Sequence, residues 1–253
     1  MIYFLGDVHG NFDHILPALQ SDEPADGKPQ TVIFLGDIEA QKPFEEEIAP
    51  LLDVGIDVWF VHGNHDTDSR RNWDHLLPSW HRNLNGRVVT IEGLRVAGLG
   101  GIFRGEVWRP PEEANHSSYA ALEKSDGYKP QVKAHRNERA LKHSSTIFPE
   151  IYDRLADLSA DILITHEAPS CHPHGFEAVD LLAQQMRVQA VFHGHHHDCL
   201  NYRAWDERLR FKAYGVGFCG IMDMHGGSLL AGDFDEARRH RERHPEMGRK
   251  ALQ

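Results

Sequence analysis

The chain has 253 residues, 40% of them hydrophobic and 26% charged, with a formal net charge of -11. That make-up predicts an ordinary soluble globular protein, long enough to bury a sizeable core in one large domain or two small ones. The acidic balance counts against non-specific nucleic-acid binding, and no apolar run reaches the length of a membrane span.

Residues 2–5 (Ile-Tyr-Phe-Leu) form a short, wholly apolar run bounded by glycine, the pattern of a strand buried on both faces. The run stops on Gly6-Asp7-Val8-His9-Gly10. Side chains two residues apart point the same way from an extended backbone. Asp7 and His9 can therefore face one point at the strand's carboxyl end, where sites form in α/β sheets. A carboxylate with an imidazole suits a divalent first-row metal. A helix is predicted from Asn11, as N-cap, to about Gln20, followed by a polar loop over 21–30. Residues 31–35 repeat the opening pattern and end in Gly36-Asp37. Residues 43–54 read as an acidic helix with Ile48, Leu51 and Leu52 at helical spacing. A third strand over 58–61 ends in His62-Gly63-Asn64-His65-Asp66. Strand, polar turn and helix in succession predict βαβ crossovers and a largely parallel sheet.

Residues 88–92 and 94–99, around a Gly93 turn, read as a hairpin on an antiparallel edge. The stretch 103–145 is polar, contains Pro110-Pro111 and Pro130, shows no strand signal and is too long for an ordinary connection. It reads as a partly helical insertion that is either a lid or substrate wall over the site, or surface decoration. A helix over 144–158 carries Ile147, Ile151, Leu155 and Leu158 on one face. A strand over 162–165 ends at His166-Glu167. A helix over 177–187 leads to a strand over 190–192, which ends in His193-Gly194-His195-His196-His197. Segments near Leu200, Phe211, Ile221 and Leu229 suggest an antiparallel second sheet. From Asp235 the chain is densely charged, the pattern of a frayed helix or disorder. The reading is one domain over 1–235 and a charged tail over 236–253. Cys171, Cys199 and Cys219 form no C-x-x-C pair and no secretory signal pattern is visible, so a reducing cytoplasm is expected.

Five strand ends thus present metal-type ligands: Asp7 with His9, Asp37, Asn64 with His65, His166, and His195 with His197. Carboxylates and imidazoles hold divalent cations, and two cations about 4 Å apart can clamp a phosphoryl group.

The ordered motifs Gly6-Asp7-x-His9-Gly10, Gly36-Asp37, Gly63-Asn64-His65-Asp66, His166 and Gly194-His195-x-His197 resemble those of the calcineurin-like metallophosphoesterases, over about residues 1–200. The resemblance implies an α/β fold, a four-layer αββα sandwich of two mixed sheets with flanking helices and the metal site at the carboxyl ends of strands. It implies that Asp7, His9, Asp37 and His197 hold a first metal, that Asp37 bridges to a second, and that Asn64, His166 and His195 complete that second site. The two ions would be drawn from Mn, Fe and Zn. A hydroxide between them would attack phosphorus in a phosphate ester. His65, beside the metals rather than on them, would contact the phosphate and protonate the leaving oxygen, a task suited to imidazole. A phosphodiesterase or nuclease is the alternative, with Lys129, Lys133, His135, Arg136, Arg139 and Lys142 near Tyr128 as a basic cluster; nucleic acid is a partner only in that case. A non-catalytic interaction scaffold on the same fold is the rival from another class. No membrane partner is expected.

The second motif departs from the family pattern. Many members follow Gly-Asp with an aspartate three residues later and then an arginine, whereas here Gly36-Asp37 runs into Ile38-Glu39-Ala40-Gln41. The carboxylate that would orient His65 is missing from its usual place, as is a phosphate-gripping arginine. Glu39 is in the wrong register to replace it, and Asp66 is not assigned that role. Arg70, Arg71 and Arg104 are candidate phosphate contacts, each with a plain surface reading beside it. His193 reads as a residue that packs or supports a ligand from behind, and His196 as turned away from its neighbours.

Overall fold

The computed structural model of the protein describes residues 1–21, 31–125 and 141–235. Two five-stranded sheets lie face to face. In the first, β1 (Ile2–Leu5), β2 (Thr31–Phe34) and β3 (Asp57–Phe60) run parallel, and the hairpin β9 (Ile221–Asp223) and β10 (Ser228–Leu230) joins antiparallel beside β1. In the second, β4 (Arg87–Ile91) is an antiparallel edge on β5 (Leu94–Leu99). Strands β6 (Ile162–Thr165), β7 (Ala190–His193) and β8 (Lys212–Gly215) follow β5 in parallel.

The alternation of side chains along each strand builds the layers. Ile2, Phe4, Ile33 and Leu35 from the first sheet meet Ile162, Ile164 and Phe192 from the second, forming the seam between sheets. The rings of Phe4 and Phe192 stack there, centroids 3.7 Å apart and 12° from parallel. The intervening residues point outward. Tyr3, Leu5, Val32 and Phe34 pack beneath α1 (Ile15–Ser21) and α2 (Phe44–Asp53). Leu163 and Val191 pack beneath α5 (Pro149–Ala156) and α6 (Glu177–Gln185). This is the expected αββα sandwich, and it explains why the site-bearing strands are largely apolar: both faces are covered.

Several local expectations are corrected. Asn11 does not cap a helix; its amide bonds Val8 O at 2.9 Å, and regular helix starts only at Ile15. The helix expected from Ser144 begins at Pro149, because Thr146 is in a β-bridge with Ile102 and Ile147 is drawn into the core. The segments near Phe211, Ile221 and Leu229 do not form one antiparallel sheet. β8 extends the second sheet in parallel, whereas β9 and β10 add to the first. Leu200 is in no strand. A short helix α3 (Arg70–Leu76), capped by Ser69 Oγ accepting from Asn72 N–H at 3.0 Å, has no counterpart in the sequence reading.

Of the stretch 103–145, the described parts pack against the second sheet's side of the molecule. Phe103 touches Trp108 and Phe176, Trp108 meets Tyr152, and Val107, Leu122 and Phe148 form a small cluster beneath α4 (Tyr119–Lys124). Tyr128, Lys129, Lys133, His135, Arg136 and Arg139 lie outside the described residues, as does the tail 236–253. Lys142 is paired with Glu106 at 3.0 Å. Among the described residues no helix is long and apolar enough to cross a membrane.

Candidate metal centre

The polar turns after β1, β2, β3, β6 and β7 converge at one edge of the sandwich. Their backbones are unusual. His9, Asp37, Glu39, His195 and His197 all have positive φ, between 43° and 70°. Side-chain-bearing residues avoid that region, and such positions cluster at functional sites. Gly36, at φ 107°, and Gly194 leave room for what lies opposite: a Cβ on Gly36 would collide with the His166 ring, and one on Gly194 with the Asp7 carboxylate.

The candidate ligands form two groups that share one oxygen. His9 Nε2 lies 3.2 Å from His197 Nε2 and 3.9 Å from Asp37 Oδ2. His197 Nε2 lies 3.5 Å from Asp7 Oδ2. On the other side the same Asp37 Oδ2 is 3.3 Å from His166 Nε2, which is 3.1 Å from Asn64 Oδ1. His195 completes this second group: its ligand atom and those of Asp37 and His166 lie within 4.8 Å of one another. All seven sequence-predicted ligands are therefore brought together.

Partners behind the ligands fix their orientation. His166 Nδ1 donates to Leu35 O at 2.8 Å, leaving Nε2 facing Asp37. Asp37 Oδ1 accepts the His65 amide at 2.8 Å. Glu39 Oε2 sits 3.2 Å from His9 Nδ1, so this residue, out of register for the family's usual aspartate, orients a ligand instead. Asp66 is wholly buried and ties the second and third loops together, accepting from Glu39 N–H at 2.7 Å and Gly63 N–H at 2.8 Å.

The residue that sequence reasoning missed is Asp68. Its Oδ2 is 2.6 Å from His65 Nδ1. Residues His65–Thr67 form a 3-10 turn, in which side chains three apart eclipse. The spacing His65-x-x-Asp68 was the available signal, but only a 3-10 turn makes it a contact. Burial alone would lower the His65 pKa. The hydrogen bond it donates to Asp68 and the charges of Asp37, Asp68 and Glu39 outweigh that and raise it.

Of the candidate arginines, Arg70 pairs with Asp74 at 3.7 Å and Arg71 donates to Gln41 O at 2.7 Å. Arg104 is different. It lies near enough to feel the charges of Asp37, Asp68 and Glu167, and its buried Nε has no hydrogen-bond partner among the described residues. One wall is aromatic: Phe218 stacks on His9 at 5.3 Å, and the exposed Phe234 lies 5.1 Å from Phe218.

The model of one family, the calcineurin-like phosphoesterases, matches residues 1–199. The chain belongs to that family. An uncharacterized protein of Haemophilus influenzae is 41% identical over 232 residues, covering 91% of this chain and 96% of its own. The crystal structure of TT1561 of Thermus thermophilus superposes with a TM-score of 0.49 at 16% identity, covering 90% of this chain and 98% of that one. As a calcineurin-like phosphoesterase, the chain is a metal-dependent hydrolase of phosphate esters in general terms.

The residues of this phosphoesterase fit metal ions. Both oxygens of Asp7 and Oδ2 of Asp37 are buried without a hydrogen bond among the described residues. Burial drives the Asp7 carboxyl well above its ordinary pKa, with the charge of Asp37 adding to the effect. Burial lowers His195 to about 3 and His197 to about 4, the neutral state that a ligating imidazole needs. His166 meets the charge of Asp37 from within the protein: burial would lower its pKa, but Asp37 and then Asp7 outweigh that and raise it to about 10, so a metal ion at the shared oxygen would bind by displacing that proton.

Proposed function

We propose that this phosphoesterase hydrolyses a phosphate ester at a dinuclear centre. Asp7, His9, Asp37 and His197 would hold one ion, and Asp37, Asn64, His166 and His195 the other. The observation that carries the reading is the position of Asp37 Oδ2, common to both groups. Mixed oxygen and nitrogen donors favour Mn, Fe or Zn over Mg or Ca. When bound, the two ions supply Lewis acidity, neutralising phosphoryl charge and acidifying water.

The chain's own groups do the rest. His65 Nδ1 is held by Asp68, so proton delivery to the leaving oxygen falls to Nε2. Its raised pKa keeps that proton available near neutrality. Arg104, whose guanidinium donates to Ser145 Oγ at 3.4 Å and feels the charges of Asp68 and Asp37, would be the group to grip a phosphoryl oxygen in place of the arginine absent after Gly36-Asp37. The Phe218 and Phe234 wall offers an apolar surface to the ester's organic group.

The test is turnover of p-nitrophenyl phosphate and bis(p-nitrophenyl) phosphate by protein stripped of metal and reloaded with Mn, Fe or Zn. Hydrolysis that needs metal, and that falls by roughly 10²–10⁴ in His65→Ala without loss of bound metal, is the expected result. The preferred ester assigns monoesterase or diesterase. No turnover of either ester with any metal would overturn the catalytic reading.

A further inference from the structure

The run His195-His196-His197 holds a histidine that the proposed centre does not use. Positive φ at His195 and His197 splays the side chains, and the His196 amide bonds back to Gly194 O at 2.9 Å. The His196 ring is thereby directed away from the two-ion groups and stacks on His172, centroids 3.8 Å apart and 11° from parallel. His172 is held in turn by Asp198, at 3.5 Å. His196 is therefore fixed by packing on one face, yet its Nε2 is buried with no hydrogen-bond partner among the described residues.

Beside it stands Glu167, only 3% exposed, one oxygen of which accepts the Phe103 amide at 3.0 Å. Ligand atoms of Glu167, His195 and His196 all lie within 4.8 Å of one another. The His195 Nδ1 atom is likewise buried and without a hydrogen bond. Tetrahedral zinc bonds of about 2.1 Å place ligand atoms about 3.4 Å apart, which small side-chain rotations from this arrangement reach.

We infer that Glu167, His195 and His196 form a third cation site, adjoining the proposed two-ion centre and sharing His195 with it as a bridging imidazolate, whose N–H proton passes to water when the third cation binds. Two imidazoles and one carboxylate are a zinc donor set, with a fourth position left for water or substrate. Oxygen-seeking Mg and Ca are poorly served by it. The competing account of Glu167 is that Arg104 and Arg109, both near enough to act on its charge, satisfy it without a metal.

The experiment counts bound zinc on the full chain, stripped of metal, incubated with Zn²⁺ alone, passed through gel filtration and measured by elemental analysis. Wild type should retain one equivalent more than His196→Phe, which keeps a ring to stack on His172 but has no ligand atom. Glu167→Gln should lose the same equivalent. An equal zinc content in wild type and both variants, with folding intact by circular dichroism, overturns the third site. Asp37→Asn separates this inference from the dinuclear reading. It should remove ions of the pair while leaving a zinc that the further change His196→Phe or Glu167→Gln abolishes.

Discussion

The two sheets contribute unlike chemistry to one site. The first sheet, through the turns after β1, β2 and β3, delivers the carboxylates Asp7 and Asp37, the amide Asn64 and the imidazoles His9 and His65. The second, through the turns after β6 and β7, delivers imidazoles alone: His166, His195 and His197. For the proposed two-ion centre the carboxylates therefore come from one sheet and imidazoles from the other, whose Glu167 belongs to the adjoining third group instead. Neither sheet holds a complete ligand group, so the seam between them sets the geometry of the centre.

The comparison breaks hardest at Asp37, whose Oδ2 serves both groups. Asp37→Asn should lower turnover by at least about 10³-fold, because several kcal/mol of charge stabilisation is lost with the bridging oxygen. Metal analysis alongside the assay should show both ions weakened, and loss of only one would deny the shared role. The seam is tested next. Phe4→Ala removes the ring stacked on Phe192 and should cost about 3–5 kcal/mol of unfolding free energy in denaturant titration. Because the sheets are then less firmly held together, weaker metal retention should accompany it.

The smaller predictions sharpen the contrast within the first sheet. Glu39→Gln weakens the hold on the outer nitrogen of His9 and should reduce affinity for one ion by about 10-fold, leaving the other unchanged in calorimetric titration. Asp68→Asn removes a charge that raises the His65 pKa. His65 then loses its proton at lower pH, so the alkaline limb of the pH–rate profile should move down while the acid limb stays in place. An unmoved alkaline limb would show that Asp68 is not the group that tunes His65.

Much of this was legible in the chain because it is local. An apolar run of four or five residues that stops on a polar turn marks both a buried strand and its active end, and β1, β2, β3, β6 and β7 all follow that rule. Boundaries were less legible. Residues 144–148 have helical spacing, but the bridge between Ile102 and Thr146 competes for the backbone and Pro149 then starts the helix. Strand partners for 211–230 were hidden as well, because short glycine-punctuated strands carry no mark of which sheet they will join.

The sequence by itself determined the ligand types, their order and the strand ends that carry them, since these follow from residue chemistry and side-chain period. Only the tertiary structure decided which carboxylate holds His65, what Glu39 and Asp66 do, and that Arg70 and Arg71 are engaged by Asp74 and Gln41 O. Those roles depend on contacts between loops far apart in the chain, or on a turn type that spacing does not specify. The same holds for His196: its neighbours in sequence are ligands of the proposed centre, but left-handed backbone on either side turns it toward Glu167 and His172.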